Sequence, residues 1–187
     1  KFAELIQASG DLLALTEALD MGKPVKYAKG VDVNSAANCV RWYGEAVDKV
    51  YDQIAPTADT ALALITREPV GVVGVVVPWN YPMIMAAWKL GPALATGNSV
   101  VLKPSEKSPY TALRLAELAI EAGIPPGVFN VVPGHGGEAG EALALHRGRR
   151  TQVWERRVRN AEGKLCAVVT QTQLTLEPAA GAPSAPG

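Results

Sequence analysis

From Phe2 to Leu19, apolar residues recur at the spacing of one helix face. The pattern weakens at Ser9-Gly10-Asp11, and Gly22-Lys23-Pro24 ends it. A stronger helix is predicted over Val33 to Tyr51. There Val33, Ala36, Ala37, Val40, Tyr43, Gly44, Val47, Val50 and Tyr51 share a face. Trp42 points the opposite way and is expected against another element or subunit. Cys39, on the flank of that helix, reads as a small buried hydrophobe. Asp52 to Arg67 is apolar and Thr-rich and is expected to be extended.

From Glu68 to His146 the pattern becomes strand, helix, strand, helix, strand, helix. Val70 to Val77 is a near-continuous apolar run, as in a strand buried on both faces. Pro78 ends it, and Pro82 suits the first turn of a helix reaching Leu94. Gly97-Asn98 turns the chain into a strand at Ser99 to Leu102, and Lys103 to Ser108 forms a loop. Pro109 starts a helix to Ala122 with Arg114, Glu117 and Glu121 as its wet stripe. Gly123 to Gly127 turns the chain into a third strand, Val128 to Val132. Gly134 to Gly137 leads into a helix ending near His146. Serial β-α units argue for a parallel sheet whose ligand sits at the carboxyl ends of the strands.

After His146 the character changes. Arg147-Gly148-Arg149-Arg150 is basic, and Thr151 to Arg159 and Lys164 to Leu176 read as a β-hairpin around Asn160 to Gly163. Residues 177–187 are Pro, Ala and Gly with almost no bulky side chain and are expected to be disordered. The expected fold class is α/β: an incomplete Rossmann-like parallel sheet with flanking helices, plus a C-terminal β-hairpin. Its domains are 1–146, 147–176 and the 177–187 tail.

Composition narrows the function. The chain has 187 residues, 18 basic and 18 acidic, so its formal net charge is zero. Neither an electrostatic grip on nucleic acid nor one on an anionic membrane is expected. The apolar runs are strand-length, so no transmembrane helix is expected. With two cysteines, Cys39 and Cys166, a disulfide framework is not expected, and a reducing, cytoplasmic setting is. No metal site is expected. The start at Lys1-Phe2, inside helical spacing and with no signal peptide, suggests a missing N-terminus.

Three stretches carry candidate chemistry. Asn80, where the first strand gives way to its helix, can donate to a developing oxyanion or simply cap the helix. Lys103-Pro104-Ser105-Glu106 ends the second strand, where an acid can take ribose hydroxyls and a lysine a ribose oxygen or phosphate. A solvated surface ion pair is the plainer reading. Gly134-His135-Gly136-Gly137-Glu138-Ala139 fits G-x-G-x-x-A, yet it follows the third strand, not the first. A tight turn fits it equally, and His135 is incidental.

Taken together, these blocks resemble the aldehyde dehydrogenase superfamily. The resemblance rests on Glu68-Pro69-Val70-Gly71, Pro78-Trp79-Asn80-Tyr81-Pro82, the run Trp88 to Asn98, and Leu102-Lys103-Pro104-Ser105-Glu106. It continues through Gly123 to Val128 and Val132-Pro133-Gly134, with Leu19 to Pro24 and Arg41-Trp42-Tyr43 upstream. It spans Phe2 to about His146, nearest members acting on gamma-glutamyl-aminobutyraldehyde. The resemblance implies oxidation of an aldehyde to its acid with NAD, NADP being possible. Asn80 would be the oxyanion donor. Lys103 and Glu106 would hold the adenosine ribose beside Ser105, and the acid at Glu106 would disfavour a 2′-phosphate. Val77, Pro78 and Trp79 would line the cofactor cleft, and Gly134 and Gly137 would flank the adenine. Residues 52–67 would be an arm for homo-oligomer assembly.

The departures from the family are severe. The Phe-Thr-Gly-Ser segment, the Glu-Leu-Gly-Gly block with the general base, and the Gly-Gln-x-Cys setting of the nucleophile are not found. Neither Cys39 nor Cys166 stands in such a setting, so the chain by itself is expected to be inactive. A non-catalytic nucleotide-binding or subunit-docking module is the alternative. The tail from His146 to Leu174 resembles the last hairpin of hotdog-fold acyl-CoA thioesterases. That suggests a gene fusion, a frameshift or an assembly artefact near His146, and leaves a thioesterase remnant as a third reading.

Overall fold

The computed structural model describes residues 1–136, Ala139, and the backbone of residues 151–159 and 165–174. The chain forms two compact units, Lys1–Ala139 and Gly140–Gly187.

In the first unit the opening apolar run makes two helices, α1 (Phe2–Ala8) and α2 (Gly10–Met21), which meet at Ser9. α2 stops at Gly22, whose N–H returns to the Ala18 carbonyl. Pro24 then starts a single turn, α3 (Val25–Tyr27), followed by a π-helical segment, Ala28–Val33, and α4 (Asn34–Ala46). The sequence pattern did not reveal the π segment. Ala28, Asp32 and Val33 of this segment are all buried. On α4 the expected apolar face is buried only at its start. Val33, Ala36 and Ala37 are enclosed, while Val47, Val50 and Tyr51 are exposed. Trp42 is also exposed and meets the Tyr43 ring edge-on, rather than another element.

Residues 52–67 form a small antiparallel ribbon, β1 (Gln53–Ala55) with β2 (Ala63–Ile65), whose Ile54, Leu62 and Leu64 are exposed. The parallel sheet follows, in the order β3 (Val72–Val76), β4 (Ser99–Lys103), β5 (Phe129–Val131). α5 (Pro82–Ala95) and α6 (Tyr110–Ala122) are its two crossovers. Parallel crossovers are right-handed, and a sheet laid down in sequence order therefore takes both helices on one face. Burial alternates accordingly. Val75 and Val77 are buried while Val72 and Val76 are exposed. The expectation that this strand is buried on both faces is thus corrected: among the described residues only one face is covered.

The covered face packs Val100 and Leu102 of β4 against Met83 and Leu90 of α5 and Leu115 and Leu118 of α6, all enclosed. Asn98 fixes the turn into β4. Its Oδ1 accepts from the Gly71 N–H at 2.9 Å, and its Nδ2 donates to Thr96 Oγ1 at 2.8 Å. In the second unit β6 (Thr151–Arg159) and β7 (Leu165–Leu174) pair antiparallel, with Thr151 opposite Leu174 and an irregularity at Val158/Arg159. The 160–163 turn and the 177–187 tail lie outside the described residues, as does most of the helix expected before His146. No described helix is long and apolar enough to cross a membrane.

α4 and α5 touch most closely at Gly91, where an added Cβ would stand 2.8 Å from Tyr43 Cδ2. Gly91→Val is expected to lower the unfolding free energy by about 1–3 kcal/mol through overpacking. Gly44→Ala, where a Cβ meets nothing within 4 Å, is expected to raise it by about 0.5–1 kcal/mol. Urea unfolding of the two variants checks the contrast.

Candidate functional site

The parallel register brings two chain reversals together. Val76 lies opposite Lys103, and the next N–H, from Val77, donates to the Lys103 carbonyl at 3.1 Å. Val77 is buried by this pairing, and Pro78, Trp79 and Asn80 emerge exposed just beyond it. The loop after β4 is tied to the same turn by Ser108, fully buried, whose Oγ donates to the Trp79 carbonyl at 3.0 Å. The end of β5 joins them, since the Val132 N–H donates to the Leu102 carbonyl at 2.9 Å. Gly134 therefore sits at the carboxyl end of the sheet too. It takes φ 150°, and a Cβ there would meet the Ala139 Cβ at 3.1 Å. Gly137 lies outside the described residues.

Lys103 is 3% exposed, although it carries an ammonium at a strand end. Its Nζ reaches Glu106 Oε2 at 3.4 Å, a long contact for three available donors. Glu106 stays open to solvent. Its own backbone N–H, and then Lys103, hold its carboxyl below the usual carboxylate range. Glu106 is therefore an ionised acceptor at neutral pH, and Lys103 a donor aimed at the same place. The plainer reading of a solvated ion pair does not fit an ammonium so deeply buried. Ser105 accepts from the Lys107 N–H at 3.3 Å and shapes the loop between them.

Asn80 does not cap the helix. The N-cap of α5 is Tyr81, in the left-handed region at φ 53° and ψ 47°, and it makes no side-chain cap bond. No hydrogen bond joins the Asn80 amide to the described residues, so the amide stands exposed with its donors unspent. A bulky residue in that conformation costs about 1–3 kcal/mol unless its surroundings hold it there. They do. Lys23 Nζ lies 3.9 Å from the Tyr81 ring centroid, a cation–π contact, and pairs with the buried Asp32 Oδ2.

Beneath the turn lies a buried polar cluster that sequence reasoning missed. Glu17, Asp32 and Thr111 are each at most 1% exposed. Both Glu17 oxygens, Asp32 Oδ1 and Thr111 Oγ1 lack a hydrogen-bond partner among the described residues. Burial pushes the Glu17 carboxyl up to about 7, and the Asp32 carboxylate adds to that rise. The Met83 N–H, Lys23 and Thr111 oppose it. Glu17 lies on the apolar face of α2 with Leu13 and Ala14. An acid at a buried helical position was the available signal.

Two other features stand apart from the strand ends. Cys39 is half-buried with its Sγ 3.5 Å from the Ala87 carbonyl, and burial pushes its thiol up, so it behaves as packing. A cavity of about 330 Å³ lined by Phe2, Val40, Leu90, Leu94 and Ile124 opens at the far end of α5 and is apolar. Among the described residues no group of three or more His, Cys, Asp or Glu could hold a metal ion.

Residues 1–151 match the family described as "Aldehyde dehydrogenase family". The chain belongs to the aldehyde dehydrogenase family. Over 146 residues it is 58% identical to the NADP/NAD-dependent aldehyde dehydrogenase PuuC of Escherichia coli K12, covering 78% of this chain and 30% of that protein. The structure of an indole-3-acetaldehyde dehydrogenase complexed with NAD+ superimposes with a TM-score of 0.77 at 62% identity, covering 78% of this chain and 30% of that one. The gamma-glutamyl-gamma-aminobutyraldehyde dehydrogenase of Burkholderia cenocepacia matches with a TM-score of 0.77 at 62% identity, covering 79% and 30%. The chain thus spans about a third of the length of these relatives. The expected family resemblance, and the expected α/β fold with a helix-flanked parallel sheet, are both borne out.

The cluster gives a pH dependence whose sign is fixed. Glu17 holds its proton more tightly folded than unfolded. Its stabilising effect is complete below its ordinary value of 4.5 and is lost as pH rises through about 7. At roughly 1.4 kcal/mol per pKa unit, the loss is on the order of 3 kcal/mol. Urea unfolding between pH 4.5 and 8 is expected to show this decline in the native chain and not in Glu17→Gln, which is the more stable of the two at pH 8. A Glu17→Gln chain less stable than the native one at pH 8 would show instead that the carboxylate is well paired.

Proposed function

We propose that this chain is the leading part of an aldehyde dehydrogenase cofactor site and binds the adenosine half of NAD at the carboxyl ends of β3 and β4. The buried Lys103 ammonium directed at the ionised Glu106 is the observation that carries the reading. A ribose diol fits this pair, one hydroxyl donating to Glu106 and an oxygen accepting from Lys103. Ser105 shapes the loop they stand on. Val77, Pro78 and Trp79 form the adjoining wall, and Gly134 would flank the adenine, as would Gly137, which lies outside the described residues. The carboxylate repels a 2′-phosphate, so NAD is preferred over NADP.

In the whole family fold a thiolate would add to the aldehyde carbonyl, and NAD, which Lys103, Glu106 and Ser105 of this chain would hold by its adenosine half, would supply the hydride acceptor for oxidation to the acid. Asn80 would stabilise the oxyanion, for which its unspent exposed amide is suited. The substrate class is an aldehyde, with the aminoaldehydes of the relatives as the first to try. Residues 52–67, with Ile54, Leu62 and Leu64 exposed, would pair with a second copy. None of the 187 residues is a cysteine in the family's Gly-Gln-x-Cys setting, so this chain alone is proposed to bind and not to turn over.

Calorimetry with NAD is expected to show weak binding that falls at least tenfold in Glu106→Ala and in Lys103→Met. No heat at millimolar NAD would remove the reading. The purified chain is also expected to form no NADH from NAD and an aminoaldehyde. Turnover that disappears in Asn80→Ala would show that a nucleophile is present after all.

A further inference from the structure

The Asn80 turn is held from below rather than from its own helix. The first helical position of α5 is Pro82, which has no N–H, and Tyr81 supplies no side-chain cap. What meets this helix start comes from other elements: Glu17 of α2 faces the Met83 N–H, and Lys23, just past the end of α2, lies over the Tyr81 ring, with Asp32 of the π segment and Thr111 of α6 facing those two in turn. Lys23 is the link. One ammonium both pairs with Asp32 and lies over the Tyr81 ring, the residue whose left-handed backbone directs Asn80.

We propose that Lys23, Asp32 and Glu17 are positioning residues for Asn80, with Lys23 clamping Tyr81 in its left-handed conformation and Glu17 setting the strength of that clamp. The inference rests on Asn80 being the oxyanion donor, and it adds which residues aim it. When Glu17 is neutral, the Lys23 charge is shared only between Asp32 and the Tyr81 ring. When Glu17 ionises, a second carboxylate competes for Lys23 and draws it from the ring. The orientation of Asn80 then depends on a proton buried beneath it. The groups facing Glu17 are Asp32, Lys23, Thr111 and the Met83 N–H. Asp20, one turn along α2, is engaged by the Tyr110 N–H at 2.8 Å.

The test is nuclear magnetic resonance of the whole ¹⁵N-labelled chain from pH 5 to 9 with no nucleotide added, so that a failure to bind NAD leaves the readout intact. The side-chain amide of Asn80 and the indole N–H of Trp79 are expected to shift together with a midpoint near 7. The Asn130 amide, held by the Gly127 carbonyl at 2.7 Å on the far edge of the sheet, is expected to stay still. Tyr81→Leu and Lys23→Met are expected to flatten the Asn80 titration, and Glu17→Gln to abolish it, with the Asn130 signal unchanged. A purely structural cluster would move Asn80 and Asn130 alike. An Asn80 signal that is flat in the native chain overturns the proposal, and that result needs no variant. So does a titration that survives Glu17→Gln, which would place the titrating group outside the cluster.

Discussion

Right-handed crossovers joining three parallel strands laid down in sequence order govern the rest of this molecule. They send α5 and α6 to the same face of the sheet, so the core is one-sided and Val72 and Val76 are left bare. They also bring the carboxyl ends of β3, β4 and β5 side by side, and with them the turns that leave those strands. Every candidate residue within the described structure belongs to such a turn or to the loop that ties two of them together.

Proximity alone would give a loose site. Two contacts convert it into a defined one. The Ser108 hydroxyl on the Trp79 carbonyl fixes the distance between the two turns. Lys23 on the Tyr81 ring holds a backbone conformation that an uncapped helix start would not keep by itself. Both contacts come from residues that are not themselves candidates for touching a ligand. The Asn80 amide, open to solvent, can remain unspent because the work of fixing the backbone is done underneath it.

Much of this was legible in the sequence, and the illegible parts share a cause. Strand–helix alternation located β3, α5, β4, α6 and β5 to within a residue or two, because Gly and Pro turn signals bound the apolar runs and the two helices are long enough to show their period. The family blocks drew attention to Asn80, Lys103 and Glu106. The bare sheet face was missed because Val70 to Val77 is apolar throughout, and composition does not say which face a crossover will cover. The roles of Glu17, Lys23 and Asp32 were missed because they lie far from Tyr81 in sequence and meet it only after the π segment turns Asp32 inward. A π turn leaves no periodic trace, and a single acid on an apolar helix face is easily taken as noise.

The same one-sidedness bears on chemistry. A carboxylate buried beneath the Asn80 turn is costly unless something neutralises it, and here one lysine faces two acids and an aromatic ring. Charge balance then leaves the cluster one negative charge in excess when both acids are ionised. A proton on Glu17 removes that excess. The value near neutrality therefore comes first from burial, and the excess charge on Asp32 adds to it. A neutral side chain at Asp32 would remove only the smaller of these two effects and lower Glu17 in part, while burial would still hold its carboxyl above the ordinary range.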